Sequence, residues 1–265
     1  MARSSAGRSA LSRHLRLLEA FSAEAPFLSL TEIARATELP VSTVHGLLQD
    51  LEDSGLVERR EDRTYRLGLR LWELASRTPG ALGLREIALP HLVGAHSVIG
   101  QHVQLGVLSG RDILFLERLS DKDAVVSVTI VGGRLPLNAS ASGLVMLADT
   151  DDSTREEYLA GPLPAFTSRT VTAADELRKI LRRVRRQRFA VLDGALHPGV
   201  RGIAVPVKGA TGETVGALGA VVPITDDQPD ETIRLLQSTA AAVTADLRAA
   251  AQSFVKASSS LHTKS

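Results

Sequence analysis

The side chains best placed for chemistry in this sequence hydrogen-bond or carry positive charge. Ser42, Thr43 and His45 stand together, with Gln49 one helical turn further on, among the apolar positions Val44, Leu47, Leu48 and Leu51. Short hydroxyls at such places contact phosphates or base edges, and a glutamine can pair with adenine. Arg59, Arg60 and Arg63 follow in a charged stretch, and each arginine that meets a phosphate adds salt-dependent affinity for DNA. Arg3 and Arg8 near the start are further candidates for following a DNA groove. Catalysis has no comparable support: no nucleophile has an adjacent base, and neither a phosphate loop nor a carboxylate pair stands at a convincing place. The absence of cysteine excludes disulfides, thiolate nucleophiles and cysteine-ligated zinc. His91, His96 and His102 lie close in sequence, with no carboxylate or cysteine at ligand spacing. Core or surface histidines are expected there, with no metal, and no cofactor is implied.

The elements that must position these residues are legible. Ser29 to Arg60 reads as a helix, a tight turn, a second helix and the start of a β-hairpin. Leu30, Ile33 and Ala34 give the first helix its apolar face, and Thr31 followed by Glu32 suits its start. Pro40 bounds it, because a proline pushes the preceding residue out of the helical region. Gly55 stops the second helix. Leu56 and Val57 go out, Glu58 to Thr64 form a charged tip, and Tyr65 to Leu67 return. This is a helix-turn-helix with a basic wing, the arrangement that reads duplex DNA in the major groove. The alternative is a small helical module used for protein contacts.

Ser9 to Ser22 reads as a preceding helix. Leu69 to Arg77 reads as a linker helix whose Trp72 packs against the DNA-binding domain or a partner subunit. Thr78-Pro79-Gly80 breaks it and marks a boundary. Beyond it, helices are expected from about Leu84 to Val98, Thr172 to Gln187 and Glu231 to Phe254, and Asn138 to Ala148 reads as loop into helix. Strand patterns cover His102 to Leu108, Asp112 to Leu119, Ala124 to Ile130, Phe189 to Leu192, Ile203 to Val207 and Val215 to Val222. Hairpins flanked by helices predict an α+β domain with a largely antiparallel sheet. The division is a winged helix-turn-helix at 1–68, a linker helix at 69–80, a second domain at 81–255 and a disordered tail at 256–265. The basic run Arg178 to Arg188 leaves Leu177, Ile180, Leu181 and Val184 on an inner face, so it reads as a solvated helix face.

Composition sets limits. With 265 residues the chain is long enough for two ordinary domains. A formal net charge of +1 means that DNA binding must come from placed arginines and not from bulk charge. Aromatic residues at 3% argue against stacking on single strands. No apolar run approaches a membrane span, and the lack of cysteine fits a reducing cytoplasm.

The phrases LPVSTVHGLLQDLEDSGLVER, YRLGLRLWELA, GGRLPLNASASG and PGVRGIAVPV, in this order from about Leu11 to Arg248, resemble the IclR family of bacterial transcriptional regulators. The resemblance implies an N-terminal winged helix, a linker helix and a C-terminal GAF-like effector domain. It further implies dimers or tetramers that bind double-stranded operator DNA under the control of a small molecule, with repression expected over activation. The family often carries a basic residue where this chain has Val41 and an arginine where it has Gly46. The effector site implied by the resemblance lies between the Asn138 to Gly143 loop and the sheet. Backbone amides there, at Ala141, with Ser140 and Ser142, could hold a carboxylate. Where many members have histidine this chain has Asn138. A run of four acidic residues is replaced by Leu192, Asp193, Gly194 and Ala195; a cysteine by Gly202; and serines by Gly219 and Val221. Apolar walls prefer an apolar ligand, so the expected effector is larger and more hydrophobic, aromatic for instance, than a glyoxylate-like acid. A pocket serving only as a scaffold is the alternative. Effector binding would act by population shift, changing through the linker helix how two winged helices meet two half-sites.

Overall fold

Ser29 and Glu32 form the reciprocal cap that starts helix α2 (Leu30–Thr37). The Ser29 hydroxyl accepts from the Glu32 amide, and the Glu32 carboxylate accepts from the Ser29 amide at 2.7 Å. The cap is Ser29 and not Thr31, because the motif needs its hydroxyl three residues before the acid. The computed structural model describes residues 9–22, 25–77, 81–125, 129–226 and 228–262. They fall into two compact units, Met1–Pro79 and Gly80–Ser265.

In the first unit, α1 (Ala10–Leu18) precedes strand β1 (Leu28–Ser29), which the sequence pattern did not reveal. Helix α2 ends at a left-handed Glu38, and α3 (Val41–Asp53) follows directly on Pro40. Gly55, with φ 69°, terminates α3 as its position predicts. Strands β2 (Val57–Arg59) and β3 (Thr64–Leu67) make the wing, and the sheet order is β1-β3-β2. Leu17, Ile33, Val44, Leu48, Leu51, Val57 and Tyr65 form the core. Helix α4 (Leu69–Ala75) buries none of its residues. Leu69 and Trp72 are 67% and 66% exposed, so the expected burial of Trp72 against its own domain does not occur.

The second unit is built on one antiparallel sheet in the order β6-β5-β4-β9-β8-β7. The strands are β4 (His102–Ser109), β5 (Asp112–Leu119), β6 (Arg134–Pro136), β7 (Ala190–Asp193), β8 (Val200–Lys208) and β9 (Thr214–Pro223). On one face, α5 (Ala81–Ile99) and α9 (Pro229–His262) share a core with Val103, Leu105, Ile203, Val205, Leu218 and Ala220. On the other, a 3-10 turn (Leu137–Ala139), α6 (Ala141–Ala148), α7 (Asp152–Ala160) and α8 (Ala174–Gln187) pack over Ile113, Phe115, Ala190, Ala204 and Ala217. The alternation of these two sets along each strand is the period of two of a sheet covered on both faces.

Two expectations change. The strand expected over Ala124 to Ile130 is not found at 124, 125, 129 or 130, and 126–128 lie outside the described residues. The tail expected from 256 is helical as far as His262, since extending an established helix fixes one residue per added hydrogen bond. Among the described residues no helix is long and apolar enough to cross a membrane.

Candidate functional site

Helix α3 turns Val44, Leu47, Leu48 and Leu51 inward and leaves Ser42, His45, Gly46 and Gln49 exposed, with Thr43 half-buried. The 3.6-residue period puts positions 42, 45, 46 and 49 on one face. This face carries hydroxyl, imidazole and amide groups and no formal charge. A first side-chain carbon added at Gly46 would meet nothing within 4 Å, so packing does not require a glycine there.

The wing arginines differ in availability. Arg60 donates to the Asp62 carboxylate at 2.8 Å and lies over the Phe27 ring, 4.4 Å from its centre. Asp62 in turn accepts from the Thr64 amide and hydroxyl, and the Thr64 hydroxyl is the foremost of the groups that hold its carboxyl below the usual aspartate range. Arg59 sits 5.8 Å above the Tyr65 ring. Arg63, exposed at the tip in a left-handed backbone conformation with φ 64°, meets no carboxylate among the described residues. Arg8 and Arg3 lie outside the described residues. In the second unit, Arg178 pairs with Glu156 and Asp175, and Arg188 with Asp149, while Arg182, Arg183, Arg185 and Arg186 are exposed.

A cleft of about 520 Å³, open solvent at its mouth included, lies between the start of α6 and the β7–β8–β9 face. Leu135, Leu192, Leu196, Val200, Ile203 and Val221 supply apolar wall, and Gln104, Thr129, Ser140, Ser142 and His197 the polar groups. Ala141 and Gly202 face each other across it: a first side-chain carbon at Gly202 would lie 3.5 Å from Ala141 Cβ. Ser140 caps α6 by accepting from the Gly143 amide at 3.0 Å. The next two amides, of Ala141 and Ser142, find no acceptor among the described residues, so they and the helix dipole are free to meet an anion.

Three expected site residues are placed elsewhere. Asn138 is fully buried and does not line the cavity. Its side-chain NH2 donates to the Pro164 and Val171 carbonyls at 3.1 and 2.9 Å, and its Oδ1 accepts from the Tyr158 hydroxyl at 3.1 Å. Both of its side-chain donors are therefore used in holding the 164–171 loop. Asp193 points away because alternate residues of a strand face opposite sides, and Leu192 takes the cavity side. It makes a two-pronged pair with Arg201 at 2.7 and 3.1 Å, whose hydrogen bond holds its carboxyl below the usual aspartate range. Gly219 lies beneath Ser142 rather than on the wall.

The sequence reading missed Gln104, Leu196 and His197. Gln104 carried a signal: it is the amide in an otherwise apolar run, VQLGVL, of a strand buried on both faces. His197 is exposed at the cavity, its Nδ1 accepting from the Gly199 amide at 3.2 Å, which leaves Nε2 as the donor in the neutral ring. The histidines at 91, 96 and 102 face different side chains. His91 pairs with Asp246, His96 lies 3.5 Å from Asp121, and buried His102 is bound by Ser120, Arg118 and the Val125 carbonyl.

Residues 10–61 match the IclR helix-turn-helix domain, and residues 78–254 match the C-terminal domain of the bacterial transcriptional regulator IclR. A probable transcriptional regulator, SauR, of Cupriavidus necator is 32% identical over 92% of this chain and 94% of its own. The Pca regulon regulatory protein of Pseudomonas putida is 32% identical over 78% of this chain and 72% of its own. Among solved structures, an IclR homolog from Microbacterium hydrocarbonoxydans complexed with 4-hydroxybenzoate is 39% identical, with a TM-score of 0.84, covering 91% of this chain and all of that one.

Proposed function

The chain belongs to the IclR family of bacterial transcriptional regulators, and on that premise we propose that it is a repressor released from, or retuned on, its operator by an aromatic monocarboxylic acid. Regulators of this family are not enzymes; they bind DNA through the helix-turn-helix and small-molecule effectors in the C-terminal domain. The observation that carries the effector class is the cavity at the start of α6: apolar walls enclose one anion-ready helix end. A flat ring fits such walls, and one carboxylate fits the amides. The similarity to a homolog complexed with 4-hydroxybenzoate supports the same class.

In this reading Ser140, Ala141, Ser142, Gly202 and Val221 contact the effector. Ser42, Thr43, His45 and Gln49 meet the major groove, and Arg59 and Arg63 meet phosphates. The winged helix ends near 68, a linker helix follows to 80, and the effector domain runs from 81 to 255. The exposed apolar side of α4, with Leu69 and Trp72, supports self-association as a dimer or a dimer of dimers, which a cytoplasmic protein reading two half-sites requires.

The test is binding of the full chain to the duplex upstream of its own gene and to a scrambled duplex, at two salt concentrations, with and without 4-hydroxybenzoate or glyoxylate. Selective, salt-weakened binding that 4-hydroxybenzoate alters and glyoxylate does not is the expected result. A response to glyoxylate alone would overturn the effector class.

A further inference from the structure

We propose that Gln104 binds the effector's carboxylate directly, with Arg118 as the positioning residue behind it. The inference rests on the effector reading above and refines it, placing the acid head in one corner of the cavity and naming a residue that holds it.

Among the described residues four buried side-chain polar atoms lack a hydrogen-bond partner: His96 Nε2, Gln104 Oε1, Arg118 Nε and Ser142 Oγ. Buried polar atoms are ordinarily paired, so each exception calls for a reason. Three of the four belong to one corner. Gln104 and Ser142, 5% and 1% exposed, both line the cavity. Arg118 on β5 stands directly opposite Gln104 on β4, and opposed residues of an antiparallel pair share a face. Gly219 stands opposite Gln104 on its other side, on β9. A first side-chain carbon there would come within 3.4 Å of Gln104 Cγ and 2.8 Å of Ser142 Oγ, so the glycine makes the room in which these two groups approach.

The donors and acceptors in this corner match a carboxylate. The group accepts at about four lone-pair positions. The Ala141 and Ser142 amides and the Ser142 hydroxyl supply three donors. The Gln104 NH2, which is not among the enclosed unpaired atoms, supplies the fourth, and its enclosed Oε1 is the acceptor available to Arg118 on the strand opposite. A bond from Arg118 Nε–H to that oxygen holds the NH2 toward the carboxylate, and with the Ser142 hydroxyl on the ligand all three unpaired atoms are satisfied together. A guanidinium that meets no carboxylate among the described residues also leaves positive charge to favour an anion in the corner. A neutral amide in place of the acid forgoes the attraction of the Arg118 charge and obliges the Ser142 hydroxyl to turn from donor to acceptor.

The experiment uses the full-length protein with 4-hydroxybenzoate and its neutral analogue 4-hydroxybenzamide, read by calorimetry and by thermal unfolding. The wild type is expected to bind the acid at least tenfold more tightly than the amide. Gln104→Met should lose tenfold or more on the acid while its ligand-free melting temperature rises by about 2–4 °C, because an unpaired buried amide has been removed. Arg118→Leu should collapse the acid-to-amide ratio, and Arg118→Lys should restore part of it. Gln104→Met binding the acid like the wild type would overturn the proposal, as would an Arg118→Leu variant with an unchanged ratio. If the wild type takes neither probe, the aromatic-acid reading fails on its own, and the ligand-free measurement still decides the role of Gln104. A rise for Gln104→Met keeps it as a group reserved for ligand, and a fall makes it structural and overturns the proposal.

Discussion

Gly219 and Gln104 face each other across the β9–β4 pair, and the backbone at 219 approaches so closely that a first side-chain carbon would stand 2.8 Å from Ser142 Oγ. A serine at 219, which would supply a hydroxyl to the cavity of a roomier relative, meets an occupied corner here. Gly219→Ser is therefore expected to lower the unfolding free energy by about 1–3 kcal/mol, as overpacking does, and to abolish binding of 4-hydroxybenzoate while DNA binding persists. Urea unfolding with parallel ligand titration checks both parts. Undiminished stability would mean that Ser142 has room to turn away.

The wing gives a second prediction, from the unequal engagement of two neighbouring arginines. Arg60 is already committed to Asp62 and Phe27, whereas Arg63 stands exposed at the tip. Arg63→Ala should weaken binding to every duplex and reduce the slope of log affinity against log salt by about 0.9, the value for one phosphate contact. Arg60→Ala should change the slope less, because its charge is offset by Asp62 in the free protein. Equal slopes for Arg63→Ala and wild type would remove the tip from the interface.

Sequence patterning reached the first unit nearly whole, because α2, α3 and the hairpin are local structures marked by caps, a glycine stop and a period of 3.6. Pro40 and Gly55 each announce a boundary within a few residues of themselves, whereas the start expected at Thr31 is capped by Ser29. In the effector cavity the Ser140–Ala141–Ser142 helix start is local, whereas Leu192, Gly202 and Val221 are reached from the sequence only through the family resemblance. The cavity floor comes from strands far apart in sequence, and alternation decides which residues face it: Leu192 is in and Asp193 out, while Gly219 shares the face of Val221 but lies under Ser142. Asn138 is a site position by the family resemblance, yet its amide is used by Pro164, Val171 and Tyr158, contacts that no local pattern encodes. Gln104 alternates with Val103, Leu105 and Val107, so a period of two by itself places it only on the face opposite those apolar residues. In a central strand both faces are buried, which makes the amide informative.

A third prediction concerns Gly46, an exposed glycine inside α3 with open space above it. Glycine in a helix interior costs about 0.5–1 kcal/mol relative to alanine, and nothing in the first unit's packing offsets that cost. Gly46→Ala should raise the unfolding free energy by about that amount. Gly46→Arg should also tighten DNA binding and steepen its salt dependence by about one phosphate contact. Weaker operator binding by Gly46→Ala, with the helix stabilised, would show instead that the bare backbone is needed for close approach to the DNA.

The last prediction concerns the far end of the helix whose start faces the cavity. Asp149 closes α6, where the helix dipole disfavours a negative charge. Lys208 Nζ lies 2.6 Å from its Oδ2, Thr214 donates to the same oxygen, and Arg188 approaches at 3.2 Å. Burial pushes the Asp149 carboxyl up, but the hydrogen bonds from Lys208 and Thr214 and the charges of Lys208 and Arg188 outweigh it and leave the group below its ordinary value. A carboxyl depressed on folding contributes stability that is present above its unfolded value, near pH 4, and is lost as pH falls through the folded value. Asp149→Asn should therefore lower the unfolding free energy by about 2 kcal/mol at pH 7, the scale of hydrogen bonds to charged groups. The gap between variant and wild type should narrow progressively below about pH 4, where the wild-type carboxylate is itself taken up by protons. Chemical denaturation of both proteins at pH 7, 4 and 3 measures it. A gap that stays constant down to pH 3 would assign the loss to altered shape at the end of α6 and not to the missing charge.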